Sequence, residues 1–219
     1  MIFSKPILAS LNKAWIGIFV VYLFHVSALI GVSLGYYDWF IRKTPLNLSL
    51  MLVLMIWIFP LDSTKKRAFA LFVFGAGMLV EWLGVRFGWF FGTYAYGENL
   101  GIKLDGVPLL IGVNWTLLVL STGVISNQVQ VAKWIRAGIG AGLMVGLDIL
   151  MEVSAPSFDF WVFEDGIVPL NNYIAWFVIA YLLHLAFQQG KIQGNKAFCI
   201  HLFLSQCLFF SFFYVYHTI

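Results

Sequence analysis

The chain has 219 residues, of which 61% are hydrophobic and 11% charged, and its mean hydropathy is +0.89. Soluble domains carry roughly 25% charged residues, so this composition excludes an ordinary water-soluble domain. The net charge of +3 does not form a basic cluster with interleaved aromatic residues in a polar segment, so a nucleic-acid partner is not expected.

Seven apolar runs occupy almost the whole chain, and each approaches the ~18 residues that a membrane-spanning helix needs. The first runs from Ala14 to Leu34; Lys5 and Lys13 precede it, but it exceeds the ~7–15 apolar residues of a signal peptide, so we expect a retained span. The others are Leu46–Leu61, Ala68–Phe87, Val107–Ser126, Trp134–Val153, Asn172–Gln189 and Ala197–Tyr216. We predict an all-α integral membrane protein in which residues 1–219 form a single transmembrane domain.

Basic residues in the connecting segments are distributed unequally between the two sides of the membrane. One side holds Lys5, Lys13, Lys65, Lys66, Arg67, Lys133, Arg136, Lys191 and Lys196, and the other holds Arg42, Lys43, Arg86 and Lys103. Cytoplasmic segments are enriched in Lys and Arg, so this distribution predicts a cytoplasmic N-terminus and an outside C-terminus in the cell membrane.

A short internal repeat links the middle of the chain to its second half. Val107-Pro108 is followed seven residues later by Trp115, and Val168-Pro169 is followed seven residues later by Trp176. Each unit comes after a predicted span that carries a carboxylate near its outer end, and each has asparagine nearby. The pattern predicts two parallel helical hairpins that surround one pocket.

Three acids lie inside the predicted spans: Glu81 in the third, and Asp148 and Glu152 in the fifth. The spacing of Asp148 and Glu152 puts both carboxyl groups on one helix face. A charge at the bilayer centre costs at least ~2.5 kcal/mol, so intramembrane acids normally face a bundle interior and have a function. We predict that the three are catalytic, with the Asp148/Glu152 pair donating and accepting protons. Each acid could instead be a structural hydrogen-bonding partner, with Glu81 paired to Arg86.

The connections beside these acids are rich in aromatic residues. An aromatic belt at the membrane interface explains most of them, but aromatic faces also stabilise cations. An acid, aromatic faces and an apolar cavity together suit the protonation of an alkene to a carbocation. The predicted substrate-contacting residues, including asparagines that could orient water, are Trp82, Trp89, Tyr94, Tyr96, Asn114, Trp115, Phe160, Trp161, Asn171, Asn172 and Trp176.

Metal and nucleotide sites are not expected. The four histidines, His25, His184, His201 and His217, lie at different predicted depths without the close pairs of a membrane di-iron site, and no HExxH motif occurs. The last span has no lysine for a retinal Schiff base, and GxGxxG is absent.

Two stretches carry a family resemblance: EWLGVRFGWFFGTYAYGENLGIKLDGVPLLIGVNW at 81–115 and DILMEVSAPSFDFWVFEDGIVPLNNYIAWF at 148–177. In their order and spacing they resemble the membrane carotenoid biosynthesis family that includes the gamma-carotene hydratases of CruF type and the bisanhydrobacterioruberin hydratases of archaea. The resemblance implies hydration of the terminal double bond of an acyclic carotenoid end, giving a tertiary alcohol without any cofactor. It also implies a substrate that stays in the lipid bilayer, and other carotenoid biosynthesis enzymes as partners.

Three alternatives remain open on the sequence alone. A proton-coupled transporter also uses intramembrane acids on repeated hairpins, although transporters tend to interrupt helices at the site. A non-catalytic carotenoid- or lipid-binding membrane protein would hold its pigment unchanged. A lyase or cyclase acting on the same end group would also begin with protonation.

Overall fold

The computed structural model describes the backbone of residues 5–218 and the side chains of residues 12–216. Seven helices of this described part are long and apolar enough to cross a membrane. The chain is therefore an all-α, multi-pass membrane protein. The side chains of Lys5 and His217 lie outside the described residues. The helices are α1 (Lys5–Ser33), α2 (Tyr37–Ile41), α3 (Thr44–Ile58), α4 (Thr64–Phe87), α5 (Leu109–Ser126), α6 (Lys133–Glu152), α7 (Leu170–Gly190) and α8 (Lys196–Thr218).

The second span differs most from its predicted bounds. It consists of α2 and α3 together, Tyr37–Ile58, and ends three residues before the predicted Leu61. The end is set by Pro60, because a proline disfavours helical geometry at the residue before it, and Phe59 has extended dihedral angles (φ −72°, ψ 126°). At the other end Pro45 is in the first turn of α3, where its missing N–H leaves no helical hydrogen bond unmade.

Helix α5 lies at the centre of the bundle. It packs against α3, α4, α6, α7 and α8, and most of its length is buried by protein rather than left for lipid. Helices α1 and α8 pack together on one side, and α6 and α7 form the most extensive helix pair. A central, enclosed helix explains why polar residues on α5 can lie deep in the membrane span, since they face other helices.

The predicted hairpins are present as α4–α5 and α6–α7. Pro108 and Pro169 are the residues that immediately precede α5 and α7, each with extended backbone angles. Trp115 and Trp176 then lie two helical turns further along, and their rings stack face to face with centroids 4.1 Å apart and an interplanar angle of 13°. Matching positions of the two hairpins thus meet at the centre of the bundle.

The long connections of the two hairpins form a cap over one end of the bundle. Strand β1 (Tyr94–Tyr96) of the first pairs antiparallel with strand β4 (Trp161–Phe163) of the second, while β2 (Lys103–Leu104) and β3 (Val107–Pro108) form a small hairpin. The Asp159 carboxylate accepts hydrogen bonds from the backbone N–H groups of Glu98 and Asn99, at 2.8 and 3.1 Å. The cap therefore joins segments distant in sequence and closes the region beneath it.

Candidate active site

The three intramembrane acids line one cavity beneath the cap. Glu81 reaches it from α4, and Asp148 and Glu152 reach it from the last turns of α6. All three side chains are buried, with at most 8% of their surface exposed. The cavity measures about 20 Å³, and none of the described residues lining it is Lys, Arg or His. The remaining lining residues are Phe91, Tyr94, Tyr96, Ile111, Asn114, Trp115, Met151, Trp161, Phe163, Asn172 and Trp176.

Glu81 accepts hydrogen bonds from three side chains. The Tyr94 and Tyr96 hydroxyls donate to Oε2 at 2.5 and 2.7 Å, and the Trp115 indole N–H donates to Oε1 at 2.9 Å. Three neutral donors satisfy a buried carboxylate without a cation. Glu81 is therefore held by the cap and by α5, and not by the ion pair with Arg86 that one alternative proposed.

The two tyrosines are donors because they remain protonated. Burial, and then the neighbouring Glu81 carboxyl, raises the pKa of Tyr94 and of Tyr96 above the usual phenol value. Both effects disfavour a phenolate, since a second negative charge would be desolvated beside the first. Each hydroxyl keeps its proton for the bond to Glu81.

Asp148 and Glu152 are joined through a single amide. The Asn172 side-chain nitrogen donates to Asp148 Oδ2 at 3.1 Å and to Glu152 Oε1 at 3.2 Å, and so holds the two carboxyl groups side by side. The Trp161 indole N–H donates to Glu152 Oε2 at 2.8 Å. One oxygen of Asp148 has no hydrogen bond within the described chain, so this carboxyl group is the least constrained of the three.

The stacked tryptophans close the cavity toward the middle of the membrane. Trp115 is fully buried, and a glycine on α4 makes room for it, because a Cβ atom at Gly77 would lie 2.8 Å from the Trp115 side chain. A second polar contact, between His184 and the Thr122 hydroxyl at 2.8 Å, lies about two turns further along α7 and α5 than the ring pair. The acids therefore belong to the capped half of the bundle.

A larger apolar groove of about 320 Å³ adjoins the cavity. Its walls come from α1, α2, α3, α5, α6 and α8 and from the cap, and it reaches the outer surface of the bundle at Trp39 and Leu46, which are each more than half exposed. The residues shared by the groove and the cavity are Ile111, Asn114, Met151 and Trp161. An elongated apolar molecule in the groove would therefore point one end at the carboxyl groups.

Most of the residues singled out in the sequence meet at this site. Those lining the cavity are Glu81, Tyr94, Tyr96, Asn114, Trp115, Asp148, Glu152, Trp161, Asn172 and Trp176, and Phe160 lines the groove. Three others lie outside both: the Trp82 indole N–H donates to Asp105 at 2.6 Å, Trp89 is 54% exposed, and Asn171 is exposed beside the buried Asn172. These three have no contact with the cavity.

The α1 and α8 side of the groove was missed by sequence reasoning. His25 and Gln206 are buried polar residues on these helices that line the groove together with Phe209 and Phe210. Their polarity inside apolar spans was the sequence signal that could have identified this side of the groove. The phenylalanines carry no comparable signal, because a lipid-facing ring and a groove-lining ring look alike in sequence.

A family model described as carotenoid biosynthesis protein matches residues 44–219, which include every lining residue of the cavity. The chain belongs to this family. The chain is also 28% identical over 152 residues to the bisanhydrobacterioruberin hydratase of Haloarcula japonica. The match covers 64% of this chain and 50% of the relative, so the chain spans about half the length of that curated relative. No solved structure matches it.

Membership of the carotenoid biosynthesis family indicates carotenoids as the class of ligand for the groove. Carotenoids are long apolar polyenes that partition into the bilayer, and the groove reaches the lipid-facing surface. A carotenoid-modifying role agrees with a site in which acidic groups lie at the end of an apolar channel.

Proposed function

We propose that the chain is a carotenoid hydratase that adds water to the terminal double bond of an acyclic carotenoid end group. The observation that supports it most directly is the junction of the apolar groove with a carboxyl-lined cavity of about 20 Å³. A cavity needs roughly 10–15 Å³ to hold one water molecule, so this one has room for the single water that hydration consumes.

Protonation of the alkene is the first step of the proposed reaction. None of the described residues that line the cavity is a cation, and two charged carboxylates held together by one amide would repel each other, so the Asp148/Glu152 pair shares a proton. The carboxyl O–H bond breaks and a C–H bond forms at the less substituted alkene carbon. The other alkene carbon becomes a tertiary carbocation and the pair becomes more negative by one charge.

The cation is stabilised by its surroundings until water attacks. The Glu81 carboxylate, held by three donors, supplies a fixed negative charge, and the stacked faces of Trp115 and Trp176 and the ring of Trp161 supply π-electron density. A C–O bond then forms to the water oxygen, and the water's extra proton returns to the Asp148/Glu152 pair. The product is a tertiary alcohol, and the acid is regenerated without a redox step.

Pigment analysis in a bacterial host that makes lycopene tests this proposal. Wild-type chain should give a pigment heavier by one water, and the amide variants Asp148→Asn and Glu152→Gln should lower its formation by about 10²–10⁴-fold, the usual contribution of a general acid or base. The variant Glu81→Gln removes the charge that stabilises the cation and should lower it by about 10²–10³-fold. The matched control is Glu164→Gln, an exposed acid in the cap connection, which should retain full activity. Unchanged hydration in all three amide variants would refute the assignment.

We also propose the cell membrane as the location, with the N-terminus in the cytoplasm. The supporting observation is the excess of Lys and Arg in the segments on the side opposite the cap. Reporter fusions to the segment at Lys65 and to the cap at Glu164 test it, since the first should be cytoplasmic and the second should not. The opposite result would reverse the orientation.

A further inference from the structure

Asn114 lies at the junction between the groove and the cavity, and it lines both. Its side chain is 7% exposed and makes no hydrogen bond within the described chain. The other described polar groups around the cavity are engaged with the carboxylates, except Trp176, whose indole can only donate. Among the described residues that line the cavity, Asn114 is thus the one amide whose donor and acceptor are both unengaged.

A buried amide without a partner is costly, so such groups in native proteins are normally bonded to a ligand or to ordered water. The adjoining cavity has the volume of one water molecule. A water there could accept from the Asn114 N–H group and donate to a carboxyl oxygen, for example the unengaged oxygen of Asp148. This water would lie between the acids and the end of a polyene in the groove.

We infer that Asn114 is the positioning residue for the attacking water and so decides what becomes of the carbocation; the inference rests on the proposed hydration. The cation has two outcomes that use the same carboxyl pair. If the water oxygen forms the C–O bond and releases a proton to the pair, the product is the alcohol. If an adjacent C–H bond breaks instead and its proton goes to the pair, a double bond forms again and no water is added.

Proton transfer and water addition can therefore be measured separately in deuterium oxide. Purified protein in liposomes that contain lycopene would transfer deuterium in either outcome, because the first step delivers a deuteron to carbon. The alcohol reports water addition, and deuterium in unhydrated pigment reports protonation followed by deprotonation. The ratio of the two is insensitive to how much folded protein is present.

The Asn114→Leu variant, which has the same number and branching of side-chain heavy atoms but is apolar, should lower the ratio of alcohol to deuterated unhydrated pigment at least 10-fold. The Asn114→Ser variant keeps a hydroxyl group and space for water, and it should recover part of the ratio. The control is Thr116→Val on the same helix, which removes a buried hydroxyl that donates to Gly112 at 2.8 Å and lines neither the cavity nor the groove. It should keep the wild-type ratio.

The outcomes separate this inference from the proposed function. A wild-type protein that hydrates lycopene, combined with an unchanged ratio in Asn114→Leu, would overturn the role of Asn114 and leave the hydratase intact. An equal loss of alcohol and of deuterated unhydrated pigment in that variant would show that Asn114 has a merely structural role, and would also overturn the inference. A wild-type protein that produces neither alcohol nor deuterated pigment would overturn both.

Discussion

The amide of Asn172 offers the sharpest test of how the catalytic pair is held, because its neighbour Asn171 is an internal control. Asn172 is buried and donates to Asp148 and to Glu152, whereas Asn171 is exposed and contacts neither. The variants Asn172→Leu and Asn171→Leu place the same apolar side chain at adjacent positions. Only the first removes hydrogen bonds from the site.

The expected magnitude follows from the two bonds. A hydrogen bond to a charged group contributes about 1.5–3 kcal/mol, and bond lengths of 3.1 and 3.2 Å favour the lower end for each. Asn172→Leu should therefore lower the free energy of unfolding by about 3 kcal/mol. For a chain of this size that corresponds to roughly 6–12 °C in Tm.

Thermal unfolding in detergent, followed by tryptophan fluorescence, measures the loss of stability, and conversion of lycopene in liposomes measures activity. Asn172→Leu should lose both stability and at least ten-fold in hydration, since the acid pair is no longer held in one geometry. Asn171→Leu should match the wild type in both assays. Equal behaviour of the two variants would refute the bridging role of Asn172.

Three further predictions follow from the packing of the site. Gly77→Ala should lower the free energy of unfolding by about 1–3 kcal/mol, because the added methyl group meets Trp115 of the stacked pair. Gly75→Ala on the same helix has open space and is the control, and thermal unfolding of both variants measures the difference. Ala28→Trp should fill the groove, so that the purified variant carries no pigment, whereas the exposed Val26→Trp should still carry pigment after purification. The absorbance of the purified proteins measures this. The raised pKa of Tyr94 keeps its phenol protonated in the folded protein, so the pH profile of hydration should show no ionisation of this phenol near pH 10. The free energy of unfolding should fall above about pH 10, because only the unfolded chain releases that proton.

The sequence by itself determined the class of fold, the seven spans and the candidate functional residues. A membrane span is a local property, because each helix must supply its own backbone hydrogen bonds and enough apolar length to cross the bilayer. The repeat of Val-Pro and tryptophan was also readable, since a proline before a helix and a ring two turns later are set by short-range geometry. Pro60 ended the second span before its predicted bound, which is also a local effect.

The tertiary structure alone decided which groups meet. The pairing of β1 with β4 joins segments far apart in the chain. The binding of Glu81 by two tyrosines of the cap, and the exposure of Asn171 beside the buried Asn172, depend on how the cap and α7 pack on the bundle. The groove formed with α1 and α8 could not be predicted for a further reason. In a membrane protein the surface that faces lipid is as apolar as the surface that faces the core, so hydrophobic pattern does not reveal which side of a helix faces inward.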